Sequence, residues 1–249
     1  MREKRQPPKS IATLSEGEIH VWEIALDDPL GNPDNPLYEI LSEDEKERAA
    51  RLRFSEYRSR FITARGYLRR ILGRYLETRP EEIVFAYNEH GKPGIPAERN
   101  RQKINFNLSH SGDIALCAVT TDREVGVDIE YVRHVTRSEK ILERFFSPAE
   151  TEYYLTCPAI MKDRSFMSLW TIKEAYSKAV GNGFTARLRE LDLSPALTGV
   201  SPSRVSVSLR DGAEKWSIYT LTPSDEYAAA LALRGEARDL IYFPVAFAQ

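Results

Sequence analysis

The sequence predicts an α+β protein of two pseudo-twofold-related lobes, each a small, mainly antiparallel sheet packed with a long helix. Each half of the chain places one long helical pattern, about 57–77 and 170–180, before a pair of strand patterns. Residues 215–233 hold the place in the second half that 104–119 hold in the first. The similarity is architectural and not a strict sequence repeat. A length of 249 residues suits two such lobes.

These patterns also predict where the lobes begin and end. We expect a flexible N-terminal tail over 1–17, an N-terminal lobe over 18–122 and a C-terminal lobe over 123–249. The active site is expected in the cleft between the lobes.

Composition excludes several classes of function. The formal charge of −2 gives no basic field, so nucleic acid is not an expected partner. No apolar run reaches 18 residues, and the charged, proline-bearing start lacks the apolar core of a signal peptide, so no membrane is expected. The two cysteines, Cys117 in an apolar run and Cys157 before a proline, suggest a reducing cytoplasm and not a disulfide framework.

The first half begins with a strand pattern over 18–26, followed by a turn-rich segment. Ser42 and Glu45 form a capping-box pattern that opens a helix to about Phe54. The helix pattern over 57–77 has one apolar stripe, made of Phe61, Ala64, Leu68, Ile71, Leu72 and Tyr75. Most of its arginines are interpreted as a solvated face: Arg58, Arg60, Arg65, Arg69, Arg70 and Arg74.

The rest of the chain alternates strands and capped helices. The pattern predicts a strand over 83–88, a turn over 90–94, and two strands, INFNLSHS and DIALCAVT, joined around Ser109–Gly112. A helix near 138–146 precedes a second capping box, Ser147 to Glu150, and the later helix stops at Gly181-Asn182-Gly183. The chain then closes with short strands around 203–210, 215–222 and 226–233, and a tail.

One strand carries two acids on the same side. In the strand pattern over 125–130, Gly126, Asp128 and Glu130 alternate with apolar residues. Two carboxylates at i and i+2 repel each other, which indicates a cation between them. The alternative is a half-exposed strand whose acidic face meets water.

Two further segments carry groups suited to phosphate chemistry. Glu174 and Lys178 recur at four-residue spacing with Trp170 along one helix face, although such a pair is often only a surface ion pair. His110, between two serines at a strand end, can receive a phosphate with help from backbone N–H groups. The alternative for His110 is a structural role in a turn.

The chain contains five motifs in sequence order: GKP (91–93), FNLSHS (106–111), GVDIE (126–130), FFSPAE (145–150) and WTIKEAYSKA (170–179). In order and spacing they resemble the successive motifs of the 4′-phosphopantetheinyl transferases. The resemblance covers about residues 40–180, and the length resembles the larger, Sfp-type members, which are monomers of two fused pseudo-repeats. It therefore implies the 4′-phosphopantetheinyl transferase fold and a monomer.

The resemblance also implies an activity. The family transfers the phosphopantetheine arm of coenzyme A to a serine of an apo acyl or peptidyl carrier protein, and releases adenosine 3′,5′-bisphosphate. Asp128, Glu130 and Glu174 would hold Mg²⁺, for which Mn²⁺ is an alternative, because hard divalent cations prefer carboxylate oxygens. Glu174 and Lys178 would be the catalytic residues, with Glu174 as ligand and base.

The coenzyme A contacts implied by the resemblance are Arg48, Arg60, Lys92, Pro93, Ser109, His110 and Lys178. A guanidinium suits the 3′-phosphate because it binds phosphate through paired hydrogen bonds. Some members have a basic residue one turn before Arg48, where this chain has Glu45.

The basic and apolar segment 131–146 would dock the carrier, since carrier domains present an acidic helix beside their serine. The alternative is an ordinary amphipathic helix. Two rival functions remain: a coenzyme A-binding protein without turnover, and a metal-dependent nucleotide phosphohydrolase.

Overall fold

The structure, a computed structural model, describes residues 14–26, 36–181, 186–197, 204–209 and 214–244. These residues form two compact units. Unit 1 contains the described residues up to Tyr87, then Pro93–Asp122, and those from Asp239 onward. Unit 2 contains Asn88–Lys92 and the described residues of Arg123–Arg238.

Ten strands and six α-helices are described. The elements up to residue 122 are β1 (Glu18–Ala25), α1 (Pro36–Glu39), α2 (Glu43–Arg51), α3 (Ser55–Leu76), β2 (Ala86–Tyr87), β3 (Pro93–Gly94), β4 (Ile104–Ser111) and β5 (Ile114–Thr121). The later elements are β6 (Val125–Tyr131), α4 (Ser138–Phe145), α5 (Pro148–Thr156), α6 (Lys162–Val180), β7 (Arg204–Leu209), β8 (Glu214–Leu221), β9 (Tyr227–Arg234) and β10 (Asp239–Pro244).

The two units repeat one arrangement. In unit 1 the sheet order is β10-β1-β5-β4, and in unit 2 it is β6-β9-β8-β7. Each unit therefore pairs its first strand with the second strand of a later hairpin, antiparallel, and places a long helix between them in sequence. The predicted α+β class, with small and mainly antiparallel sheets each packed with a long helix, is confirmed.

Helix α3 supplies the core of unit 1. Five residues of the predicted stripe are buried (Ala64, Leu68, Ile71, Leu72 and Tyr75), and Phe61 packs against them half-buried. The helix begins two residues earlier than predicted, and α2 stops at Arg51 because the chain is extended at Leu52. Unit 2 buries α6 in the same way, through Ile172, Ala175 and Ala179.

Both predicted capping boxes are confirmed, and both do more than cap. The backbone N–H of Ser42 donates to Glu45, and that of Ser147 donates to Glu150. Each glutamate is also buried against a positively charged side chain on the long helix that follows. The distances are 2.6 Å from Arg69 Nε to Glu45 Oε2 and 2.9 Å from Lys173 Nζ to Glu150 Oε2. Each short helix is thus fixed to its long helix by a buried ion pair.

The prediction of a solvated arginine face is wrong for Arg69. This side chain is only 1% exposed, and it also donates to the carbonyls of Pro80 and Ile83. The buried Glu45 supplies the opposite charge, so the guanidinium can leave water without an unpaired charge. Arg65 shares the same carboxylate.

Two strand predictions are corrected. The expected strand over 83–88 is only Ala86–Tyr87, paired with Pro93–Gly94. The expected closing tail is wrong over 239–244, since β10 runs parallel to β1. Phe243 stacks on Trp22 with ring centres 4.5 Å apart, which buries the strand against the unit 1 core.

Gly181 ends α6 at φ 79°, as predicted, while Asn182 and Gly183 lie outside the described residues. Most of the predicted N-terminal tail, 1–13, lies outside them as well. Within the described parts of the chain, no helix is both long and apolar enough to cross a bilayer.

Candidate active site

The candidate site of unit 2 is built on a direct contact between β6 and α6 at Gly126. A Cβ added at Gly126 would lie 2.1 Å from the carbonyl oxygen of Ala175 and 2.4 Å from the backbone nitrogen of Ala179. Only glycine permits so close an approach of strand and helix. Because side chains alternate along a strand, Asp128 and Glu130 share the helix-facing side with Gly126.

The acidic side of β6 does not simply meet water. Asp128 is only 3% exposed, Glu130 is half-buried, and the apolar residues of the opposite face are buried too. The alternative of a half-exposed strand with a solvated acidic face therefore does not hold at Asp128. A buried carboxylate needs a compensating positive charge.

Lys178 provides a positive charge at this position. Its Nζ lies 2.5 Å from Oδ1 of Asp128, so the pair joins α6 to β6. The lysine side chain stays partly exposed, at 30%, while the aspartate is enclosed. Lys178 therefore connects the buried acid to solvent-accessible space.

Glu174 lies one helical turn before Lys178 and is half-buried. Burial raises the pKa of its carboxyl, the charges of Asp128 and Glu130 raise it further, and Lys178 opposes the shift. The three predicted acids are therefore brought within electrostatic reach of one another.

Whether these acids suit a divalent metal depends on their positions and on the chemistry of their donor atoms. Among the described residues, no group of three or more His, Cys, Asp or Glu side chains stands in position to hold a metal ion. Here the ammonium of Lys178 takes up one oxygen of Asp128. The donor set still has the chemistry that Mg²⁺ or Mn²⁺ prefers, because it consists of carboxylate oxygens from two adjoining elements. The donor atoms of these residues therefore suit such a cation, although their present positions do not form a metal site.

Lys92, expected on the nucleotide, binds backbone carbonyls of unit 2 in this structure. Its Nζ donates to three backbone carbonyls: 2.6 Å to Lys178, 3.1 Å to Ala179 and 3.3 Å to Val125. Burial lowers its pKa to about 8. Lys92 therefore sits at the carboxyl end of α6 and the start of β6.

The residues expected on the 3′-phosphate are in unit 1. The guanidinium of Arg60 is held by Asp113 and by Glu56, the latter at 2.8 Å. The exposed Arg48 of α2 lies over the ring of Phe61 of α3, 5.4 Å from its centre. An arriving phosphate would compete with the carboxylates for Arg60.

Ser109, His110 and Pro93 also belong to unit 1. Ser109 and His110 lie inside β4 and pair with Leu116 and Ala115, so the turn of this hairpin is Gly112-Asp113. Ser109 is buried and His110 exposed, as alternation along a strand requires. Pro93 is in β3, opposite Tyr87.

Comparison with known proteins decides the family. Residues 35–122 match the family described as 4′-phosphopantetheinyl transferase, N-terminal, and residues 124–232 match the 4′-phosphopantetheinyl transferase superfamily. The 4′-phosphopantetheinyl transferase HetI of Nostoc sp. is 40% identical over 92% of both chains. The chain belongs to the 4′-phosphopantetheinyl transferase superfamily.

Two further relatives are also described as 4′-phosphopantetheinyl transferases. The 4′-phosphopantetheinyl transferase Sfp of Bacillus subtilis is 27% identical over 86% of this chain and 91% of its own. The 4′-phosphopantetheinyl transferase psf-1 of Bacillus pumilus is 35% identical over 62% and 66%. The transferase described here is thus of the larger, Sfp-like type.

In this transferase, sequence reasoning missed the contacts of three residues that hold the long helices in place. Lys173 lies inside a recognised motif, yet its pairing with Glu150 across 23 positions has no local signal. Glu45 looked like a departure from the family pattern, but it is the buried acceptor of two arginines. Asn88 binds Gly181 O at 3.2 Å, and only its place before a turn could have drawn attention to it.

In the segment 131–146 of the transferase, charged and apolar residues are separated. Its four basic residues are exposed: Arg133, Arg137, Lys140 and Arg144. Leu142 is fully buried in a core cluster, and Ile141 and Phe145 pack against that cluster. Most of the apolar surface expected for docking is therefore used inside unit 2.

Proposed function

We propose that this protein transfers the phosphopantetheine arm of coenzyme A to a serine of an apo carrier protein and releases adenosine 3′,5′-bisphosphate. The observation that carries the proposal is the contact of β6 with α6 at Gly126, which gathers Asp128, Glu174 and Lys178. Family membership supports the same chemistry.

The reaction forms one bond and breaks one. The serine oxygen attacks the phosphorus that carries the pantetheine, and the bond from that phosphorus to the bridging pyrophosphate oxygen breaks. Negative charge collects on the leaving adenosine 3′,5′-bisphosphate. Lys178 is the proposed group that stabilises this charge, and its pairing with Asp128 and its partial exposure support the role.

The serine proton must also be accepted. A serine hydroxyl is a weak nucleophile, so a base improves the attack. Glu174 is the proposed base, because burial and two neighbouring negative charges raise its pKa and so its affinity for a proton.

Asp128, Glu130 and Glu174 would hold Mg²⁺, with Mn²⁺ as the alternative. When bound, the cation would neutralise charge on the pyrophosphate. Its positive charge would also lower the cost of gathering three acids at one place.

Residues of unit 1 are proposed to bind the nucleotide. Arg60 would exchange Asp113 and Glu56 for the 3′-phosphate, and Arg48, Pro93, Ser109 and His110 would assist. Dephospho-coenzyme A, which lacks that phosphate, should bind Arg60→Ala and the wild type equally. An equal loss of affinity with both nucleotides would rule out this role.

We further propose a cytoplasmic monomer that serves acyl or peptidyl carrier domains through the basic residues of 131–146. Charge complementarity is the argument, because the exposed arginines and lysine suit an acidic helix. Both cysteines are free thiols, in keeping with a reducing compartment. Reversing two of these charges should raise the KM for the carrier and leave that for coenzyme A unchanged.

The decisive experiment incubates the purified protein with coenzyme A, Mg²⁺ and a panel of apo carriers. A carrier that gains the mass of phosphopantetheine shows transfer. Free phosphopantetheine without a modified carrier would indicate the phosphohydrolase. Binding of coenzyme A without either product would indicate the non-catalytic relative.

A further inference from the structure

The carboxyl end of α6 is held by a loop from a distant part of the sequence. Asn88–Lys92 lies between two strands of unit 1 in sequence, yet it belongs to unit 2. The loop is internally fixed: the side-chain oxygen of Asn88 accepts from the backbone N–H groups of His90 and Lys92, at 3.0 and 2.8 Å. These hydrogen bonds fix the shape of the loop that carries Lys92.

Two side chains of this loop bind the end of the helix. Asn88 Nδ2 donates to Gly181 O, and Lys92 Nζ donates to Lys178 O and Ala179 O. Carbonyls in the last turn have no partner within the helix, and the helix dipole makes that end negative. The ammonium of Lys92 donates hydrogen bonds to these carbonyls and brings a positive charge to the negative end of the helix.

The same ammonium also binds the strand. Its third hydrogen bond goes to Val125 O, at the first residue of β6. An ammonium has three N–H donors, so the three carbonyls account for all of them. Binding a phosphate instead would leave helix-end carbonyls without a donor.

We propose that Lys92 is a positioning residue that fixes the last turn of α6 on the start of β6, and so sets Lys178 against Asp128. The inference rests on the proposed function and deepens it. It differs from the nucleotide contact that the family resemblance implies for this lysine. Lys92 acts directly on the residue concerned, because it holds the backbone carbonyl of Lys178 while the Lys178 side chain reaches Asp128.

The surroundings of the lysine agree with this role. Burial lowers the pKa of Lys92 to about 8, and only Glu124 opposes that shift through its charge. Neutral carbonyls bind the group, and its stem passes Gly181, where an added Cβ would lie 3.8 Å from Cδ of Lys92. We call these contacts of Asn88 and Lys92 with the end of α6 the clamp. The clamp therefore depends on hydrogen-bond geometry between Lys92, Gly181 and the helix end.

Lys92→Met, which keeps the stem and removes the donors, is the first test. In the protein without metal or coenzyme A, amide exchange at Tyr176–Val180 should quicken about tenfold, because the helix end loses its anchor. In the transfer assay kcat should fall at least about tenfold, while KM for coenzyme A changes less than about threefold. Lys215→Met, an exposed lysine of the same unit paired with Glu236, is the matched control and should change neither.

Asn88→Ala is the second test and involves no cation. It removes the contact to Gly181 O and loosens the loop that carries Lys92. Faster amide exchange at the end of α6 and a lower kcat in Asn88→Ala would support the clamp, including the case in which Lys92→Met does not fold. The exchange measurement needs no transfer activity, so it tests the contacts of Lys92 even if the wild type proves unable to transfer.

Two results would overturn the proposal. Unchanged exchange with at least about tenfold weaker coenzyme A binding in Lys92→Met would make the lysine a ligand contact. Faster exchange with unchanged kcat would make the clamp a local structural feature without influence on the site.

Discussion

Individual residues of the β6–α6 contact have separable tasks. Asp128 is enclosed and bound to Lys178, whereas Glu130 and Glu174 are half-buried. The enclosed Asp128 therefore fixes the position of the Lys178 side chain, whereas Glu130 and Glu174 remain more accessible to the cation proposed above.

Replacing Asp128 or Glu130 by Ala should each lower transfer by about 100-fold or more, because charge compensation at the pyrophosphate is lost. Excess chelator on the wild type should have the same effect. Circular dichroism checks that the variants fold. Glu236→Ala, which removes an exposed acid paired with Lys215, is the control and should keep full activity. Normal turnover in chelator would refute the metal assignment.

Glu174→Gln should reduce turnover far more than coenzyme A affinity, because the amide keeps the size and one oxygen but cannot take the serine proton. Mn²⁺ should not restore the turnover of Glu174→Gln. In the protein without metal, burial and the charges of Asp128 and Glu130 raise the pKa of Glu174, so carboxyl NMR should show this group taking up its proton at a higher pH than an ordinary glutamate does. Near-normal turnover of the variant at high metal concentration would make Glu174 a ligand only.

At the scale of elements, the site depends on how closely a helix can approach a strand. Gly126 sets that distance, and the Lys92 contacts hold the helix end at it. Neither feature touches substrate in the proposed mechanism, yet both determine where Glu174 and Lys178 stand.

Gly126→Ala should destabilise the protein by about 3 kcal/mol or more, because the new methyl group overlaps backbone atoms that cannot rotate away. Urea unfolding measures the loss. Gly17→Ala, where an added Cβ meets no atom within 4 Å, is the control and should be nearly neutral. An unchanged unfolding midpoint for Gly126→Ala would show that the two elements can separate without cost.

The elements also show what a sequence can reveal. Local patterns predicted β1, α3, α6 and both capping boxes, because periodicity and caps depend on residues a few positions apart. The pairing of β10 with β1 and of Glu150 with Lys173 depends on residues far apart in sequence. The acids of the site were found because strand alternation and helical spacing place them together, but the Lys92 contacts were not, since three backbone carbonyls carry no sequence signal.

At the scale of the whole molecule, acid stability should depend on a polar group inside the core of unit 1. His20 is fully buried, and its Nδ1 lies 2.7 Å from the hydroxyl of Tyr75. That hydroxyl also accepts from the indole N–H of Trp22, so the neutral ring is the one that can accept the Tyr75 proton.

Burial lowers the pKa of His20 below its ordinary value of 6.5. The unfolded chain therefore binds the proton more tightly, and the free energy of unfolding should fall as the pH drops below about 6.5. Urea unfolding between pH 7.5 and 5.5 measures this slope. His20→Gln should reduce it, while His134→Gln, at an exposed histidine paired with Asp163, should not. An identical slope in wild type and His20→Gln would contradict the assignment.

The order of the sheet in unit 1 has a consequence for synthesis on the ribosome. Strand β1 is made early, but its parallel partner β10 is made after all the described residues of unit 2. During translation one edge of β1 therefore has unpaired backbone groups until β10 is made, and the ring of Trp22 lacks its contact with Phe243. A fragment ending at residue 122 would keep that edge exposed, so we expect the fragment to aggregate more readily than the full chain does.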